Sequence, residues 1–237
     1  MLEGVTEDPV VVPLHLADVS FPEGHPSAGG AGAVLGFAVR HAEGVLLFDT
    51  GVGTGDDEVE RYYRPRVIPL EEALAANGIG LADVTAIANS HLHFDHCGGN
   101  TPFDGIPAYA RAAELRAARE EDYTVREWIG LDALRFVSLE DHAEAEVAPG
   151  IVLVGTPGHT PGHQSCVVTT AAGAVVLAGQ AVYSRAEWEG STDPAESGAA
   201  NAPDIPAYAE SVRHLHRHEP VRVYFAHDLS VWDRPPD

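Results

Sequence analysis

Basic residues are scarce in this sequence. Lys and Arg together number 14 against 36 Asp and Glu in 237 residues, for a formal net charge of -22. So acidic a surface repels phosphate backbones and anionic lipid headgroups, so neither nucleic acid nor a membrane face is expected as a partner. Cysteine is scarcer still. Cys97 and Cys166 are the only two, a usage that agrees with a reducing compartment, although a disulfide between them stays open on sequence alone. The opening MLEGVTEDPVVVPLHL has no basic start and no apolar run long enough for a signal peptide or a membrane span, so the expected location is cytoplasmic. No linker divides the chain. With 45% hydrophobic residues it has ample material for a core, and a single domain over 1–237 is expected.

What the chain does have is histidine, 13 in all. Three of them crowd with an aspartate into His91, His93, Asp95 and His96, inside the stretch SHLHFDHCGGN at 90–100. Protonated imidazoles repel one another and neutral ones add little to a core, so this spacing asks for a cation. Neutral imidazole and carboxylate suit borderline divalent metals such as zinc. A stiff loop can offer His91 and His93 to one ion and Asp95 and His96 to a second. Cys97 follows directly; it is read as a small buried residue under the Gly-Gly turn, with metal ligation as the weaker alternative.

Apolar runs and Gly/Pro punctuation set the organisation around that loop. AVLGFAVR and GVLLFDTG read as a hairpin across His41–Glu43, and PLEEALAANG as a helix from Pro69 to Gly78. RAAELRAARE is helical, and YTVREWIG continues it or starts another helix. QSCVVTT and AVVLAGQ pair as strands, PAYAESVRHLHRH forms a helix, and the Gly/Ala/Pro-rich stretch 190–204 is a surface loop. Strands flanked by helices in both halves suggest a layered α/β sandwich. Four apolar strands run into metal-type residues: VTAIANS into His91, IVLVGTPG into His159, AVVLAG into Gln180 and VRVYFA into His227. Gathered at one sheet edge, His159 and His227 would complete three ligands for each of two ions. His214, His216 and His218 read as the solvated face of the last helix. His15, His25, His41 and His142 carry no motif, and His163 is either a support for His159 or a plain loop residue.

The motifs DTG (49–51), SHLHFDHCGGN (90–100), TPGHTPGH (156–163) and AHD (226–228) resemble those of the metallo-β-lactamase superfamily, in order and across roughly residues 30–230. The resemblance is nearest to the N-acyl-homoserine lactone hydrolases, through the full SHLHFDHCGGN form, the run Phe103 to Glu114, and Tyr183. It implies a four-layer αββα sandwich with the metal site at one edge of two sheets. It also implies His91, His93, Asp95, His96, His159 and His227 as ligands of two zinc or other divalent ions, with Asp49 supporting the loop by hydrogen bonds. The implied activity is opening of a lactone ring, a small-molecule substrate, by attack of a metal-bound hydroxide. Tyr183 would donate to the carbonyl oxygen and Asp95 would pass a proton to the leaving alkoxide. Phe21, Phe94 and Trp188 are candidate pocket walls.

One position departs from the pattern. The superfamily places a metal-bridging aspartate where this chain has Gln180, and a neutral amide is a poorer bridge than a carboxylate. A second ion should therefore bind more weakly than the first. The alternatives left open are another ester or thioester hydrolase of the same fold, such as a glyoxalase II-like enzyme or a biosynthetic lactonase, and a metal-binding pseudoenzyme. A glutathione thioester would need a basic anchor, and no basic cluster supplies one.

Overall fold

In the computed structural model, residues 8–24, 28–131, 133–193 and 202–235 are described. The first sheet contains β1 (Val10–Ser20), β2 (Ala31–His41), β3 (Gly44–Phe48), β4 (Arg66–Val67), β5 (Val84–Ala88), β6 (Pro107–Arg111) and β7 (Arg135–Leu139). Their order is β4-β1-β2-β3-β5-β6-β7, antiparallel through β3 and parallel from β3 to β7. The second sheet runs β13-β12-β11-β10-β9-β8, from β8 (Ala145–Ala148), β9 (Ile151–Gly155), β10 (Gln164–Thr170), β11 (Gly173–Leu177), β12 (Arg222–Tyr224) and β13 (Trp232–Asp233). Seven helices are described: α1 (Asp57–Tyr63), α2 (Leu70–Ala75), α3 (Phe94–Cys97), α4 (Ala112–Ala117), α5 (Arg126–Ile129), α6 (Arg185–Trp188) and α7 (Ile205–His216).

The layering follows from which faces are apolar. In β2 every residue from 32 to 39 is buried, because a layer covers each face. Phe37 and Val39 point into the space between the sheets, where they meet Phe48, Ile151, Leu153, Val168 and Leu177. Ala38 faces the other way, into a cluster of Leu14, Leu47 and Ile87 closed by Leu74 of α2. On the far side of the second sheet, Val154, Val167, Val176 and Val223 pack against Leu215 of α7. Helix, sheet, sheet, helix is the αββα order that the resemblance implied.

One polar strut crosses between the sheets. The fully buried Arg111, at the end of β6, donates from Nε to Gln164 Oε1 at 2.9 Å, and from Nη1 to the Glu140 and Ala143 carbonyls at 2.6 Å each. Gln164, at the start of β10, donates in turn to the Asn89 and Tyr109 carbonyls. Burial pulls the Arg111 guanidinium down to about 10, so it still carries its charge at neutral pH.

The hairpin, the α2 segment and the β9–β12 strands lie where the apolar runs put them. β1, β6, β7 and β8 were not expected. The expected solvated face of the last helix holds for His216, which is exposed, and is corrected for His214 and His218. His216 stacks on Trp188 at 3.7 Å with an interplanar angle of 16°, while His214 and His218 turn toward Glu144 and are only about a quarter exposed, at 26% and 20% of their side chains. The same contact removes Trp188 from the pocket wall, since it is buried between His216, Trp232 and the second sheet. Cys97 and Cys166 are both free and buried in separate clusters, so no disulfide joins them. His25 and most of the 190–204 stretch (194–201) lie outside the described residues.

Candidate metal centre

β5 ends at Ala88, and two residues later the chain enters the histidine loop. The loop is pressed onto the turn after β3. A Cβ on Gly98 would collide with the backbone of Val52 and Gly53, and one on Gly99 with the Thr50 carbonyl, so only glycine permits this approach. Backbone bonds seal the contact, with Gly98 N donating to Gly51 O at 2.8 Å and Thr50 N to His96 O at 2.9 Å.

Two buried carboxylates then hold the loop from opposite sides. Asp49, in the left-handed region at φ 63°, accepts from Ser90 N at 2.6 Å and Ser90 Oγ at 2.8 Å, and its Oδ2 lies 2.8 Å from His96 Nδ1. Glu114, in α4, accepts from Leu92 N at 2.8 Å, from Thr160 Oγ1 at 2.7 Å and from the Tyr123 hydroxyl. Burial pushes the Glu114 carboxyl upward, against those three donors. Asp49 was expected to support the loop; Glu114 was seen only as part of a motif run. Nothing in the composition of α4 separates it from an ordinary exposed helix acid, so its burial is a tertiary effect.

Three imidazoles meet on one side of the loop. His93 Nδ1 lies 3.0 Å from His91 Nε2 and 3.2 Å from His159 Nε2. On the other side His96 Nε2 lies 3.3 Å from His227 Nε2 and 3.7 Å from Asp95 Oδ2, which is 3.6 Å from His227 Nε2. Each triplet brings its donor atoms within 4.8 Å of one another. The outer nitrogens are anchored: His96 Nδ1 on Asp49, His91 Nδ1 beside Ser90 Oγ at 3.0 Å, and His227 Nδ1 on the Ala33 carbonyl at 2.9 Å. Such anchors fix the tautomer that leaves Nε2 as a lone-pair donor.

The protonation pattern divides the triplets. Burial, reinforced by the neighbouring imidazoles, takes His91 and His159 well below the usual histidine range. Burial also brings His93 to about 4, although Asp95 opposes it. Burial disfavours the charge on His96 too, but Asp95 and Asp49 outweigh it and raise this residue to about 9. His227 is lowered, by burial first. A single ring nitrogen on His93 cannot satisfy two neighbours at once, whereas a cation among the three nitrogens serves all of them. Neutral nitrogens with one carboxylate are donors that borderline divalent ions accept.

Gln180 sits beside this centre, and its side chain hydrogen-bonds His96. Its backbone N–H donates to His163 Nε2 at 2.9 Å, and His163 Nδ1 lies 2.9 Å from Thr156 Oγ1. His163 therefore positions the Gln180 loop and not His159 as expected; their ring centroids are 6.4 Å apart. Cys97 points away from the donors, toward Leu92 O, and burial pushes its thiol up, which rules against a thiolate ligand.

A cleft of ≈ 600 Å³ opens above the donors, lined by Val19, Phe21, Tyr63, Phe94, Gln180 and Tyr183. Phe21 and Phe94 are walls, as expected; Tyr63, 4.6 Å from Phe94 between ring centroids, was missed. Tyr183 lies against His227 at 5.4 Å, and burial lifts its phenol to about 12.

Comparison with known proteins gives three kinds of match. The Metallo-beta-lactamase superfamily model matches residues 29–227. An N-acyl homoserine lactonase of a Bacillus species is 35% identical over 166 residues, a match that spans 65% of each chain. That of Bacillus cereus is 30% identical over 206 residues, covering 81% of this chain and 80% of the relative. Among solved structures, an N-acyl homoserine lactone hydrolase with the product N-hexanoyl-L-homoserine at its catalytic metal centre superposes with a TM-score of 0.75. It is 26% identical and covers 95% of each chain.

Proposed function

The chain belongs to the metallo-β-lactamase superfamily, and from that premise we propose that this metal-dependent hydrolase opens the ring of N-acyl-homoserine lactones. The observation that carries the reading is the pairing of two donor triplets with an aromatic-walled cleft directly above them. In this reading His91, His93 and His159 hold one ion, and Asp95, His96 and His227 a second, with zinc the metal that best fits the donors. Zinc in such a set supplies Lewis acidity and a water made acidic near neutral pH.

The side chains then have distinct tasks. Tyr183 keeps its proton at any working pH because burial holds its phenol near 12, so it can donate to the lactone carbonyl oxygen as charge develops there. As the water oxygen bonds to the carbonyl carbon, Asp95 takes the water proton and delivers it to the ring oxygen when that C–O bond breaks. The product is an open-chain hydroxy acid. Val19, Phe21, Tyr63 and Phe94 offer an apolar surface to the acyl chain. Of the residues described along this cleft none is Arg or Lys, and Glu23 is present, which disfavours the anionic glutathione thioesters of a glyoxalase II-like enzyme.

The test is hydrolysis of homoserine lactones and simple γ- and δ-lactones by zinc-loaded protein, with a chelated control. Chelator-sensitive ring opening is expected. A protein that retains metal yet turns over none of these compounds overturns the reading in favour of another substrate or a pseudoenzyme. Tyr183→Phe should lower kcat roughly a hundredfold, the usual cost of one oxyanion donor, with metal content unchanged.

Two further results are expected of the second ion. Gln180→Asp adds the bridging carboxylate and should tighten that ion roughly 10- to 100-fold, read by competition with a chromogenic chelator. Because His96 titrates near 9, it is protonated at pH 7 and must release its proton before it can donate to a metal. Calorimetry in buffers of differing ionisation enthalpy should find about one proton released with the second ion and almost none with the first. Affinity for the second ion then rises with pH up to about 9 and levels off; a pH-independent second affinity would contradict the assignment.

A further inference from the structure

We propose that the chain carries a third divalent-cation site, separate from the catalytic pair, formed by Glu144, His214 and His218. His214 lies in the last turn of α7 and His218 one turn beyond it, so the i, i+4 spacing puts both rings on one side. They are stacked with centroids 5.5 Å apart and an interplanar angle of 21°. Glu144 reaches them from the loop between β7 and β8. Its Oε1 lies 3.4 Å from His214 Nε2 and 3.8 Å from His218 Nε2.

These separations are long for charge-assisted hydrogen bonds and right for a shared ligand. Zinc bonds to N and O of about 2.0–2.1 Å arranged tetrahedrally place neighbouring donor atoms roughly 3.3–3.4 Å apart. All three donor atoms fall within 4.8 Å of one another, so small side-chain adjustments close the set. A second observation points the same way. His218 Nε2 is buried and has no hydrogen-bond partner among the described residues, an arrangement that costs free energy unless something binds there. Two imidazoles and one carboxylate leave a fourth position for water, the set of a zinc, cobalt or nickel ion rather than of calcium or magnesium.

Such an ion would tie α7 to the 140–144 loop. That loop supplies the Glu140 and Ala143 carbonyls to the Arg111 strut. On the same helix, Ser211 Oγ donates to the Pro157 carbonyl at 2.7 Å, and the Tyr208 hydroxyl accepts from Tyr183 N at 3.1 Å. The third ion therefore acts as a clamp on the helix that braces the loop of His159 and the base of Tyr183.

The experiment counts metal. The full-length protein is loaded with cobalt, dialysed against a low micromolar excess, and assayed for bound cobalt by mass spectrometry and for tetrahedral d–d absorption. The H214A/H218A double variant should hold one equivalent less than the unaltered protein, with its lactone or chelator-sensitive activity within about twofold. Glu144→Gln, a change at an exposed acid that leaves the fold intact, should weaken the same equivalent by at least ~10-fold. A melting temperature of the unaltered protein that rises with cobalt beyond that of the double variant is the second expected result. Equal cobalt content in all three proteins, or a deficit that also abolishes the catalytic equivalents, overturns the site. Because the readout is stoichiometry, failure of the lactonase assay leaves this outcome unaffected.

Discussion

His93→Ala should lower kcat/KM by about a thousandfold or more, the largest change expected of any single residue here. His93 Nδ1 is the atom on which the other two nitrogens of its triplet converge, at 3.0 and 3.2 Å. Without it His91 and His159 remain as two donors, one short of the set that keeps a catalytic zinc in place. The expected loss corresponds to roughly 4 kcal/mol of transition-state stabilisation, the scale of a Lewis acid at a developing oxyanion. Steady-state kinetics with metal analysis on the same sample checks it. The stability of the chelated protein should hardly change, because the lost ring is neutral and its apparent partners are other imidazoles. A variant with full metal content and near-normal rate would remove His93 from the centre.

Asp49→Ala should have the largest effect on folding. The carboxylate is fully buried and binds Ser90 N, Ser90 Oγ and His96 Nδ1 at 2.6 to 2.8 Å. Deleting it leaves those three groups without their acceptor and takes one of two counter-charges from a cationic imidazole, the other being Asp95. The expected cost is ~3–5 kcal/mol, typical of breaking one side of a buried ionic pair. Urea unfolding of the chelated protein measures this free of metal linkage. Asp49→Asn should cost markedly less, since asparagine tolerates the left-handed backbone at φ 63° and keeps an oxygen for Ser90. Equal losses for the two variants would mean that the backbone, not the carboxylate, sets the stability of the loop.

The two donor triplets proposed here were legible as a cluster because metal chemistry would impose residue types at fixed spacing, and because each lies just past an apolar strand. The supports were less so. Asp49 was readable from its DTG turn, whereas Glu114 looks like any acid in an alanine-rich helix until the fold buries it against Leu92 and Thr160. β1 was missed for a physical reason. It contains Pro13, which cannot donate to a ladder, yet β4 reaches β1 only at Ala17 and Asp18, so Pro13 lies where the strand has a single neighbour. β6 to β8 are only four or five residues long and carry partly exposed residues, too short a run to read from sequence, so their pairing is decided by the sheet. His214 and His218 showed the right helical spacing, but their third member, Glu144, stands some 70 residues away in the chain.

The donors also come from both sheets: His91, His93, Asp95 and His96 follow β5, whereas His159 and His227 follow β9 and β12 of the other. During synthesis, which proceeds from the N-terminus, the first triplet is complete in sequence once residue 159 has left the ribosome. The second waits for residue 227, and neither can close before its sheets dock. If these six residues hold the metal as proposed, its capture is a late event open only to chains already assembled. In the proposed reading, a cell short of metal would accumulate folded chains that lack first the more weakly held ion beside Gln180.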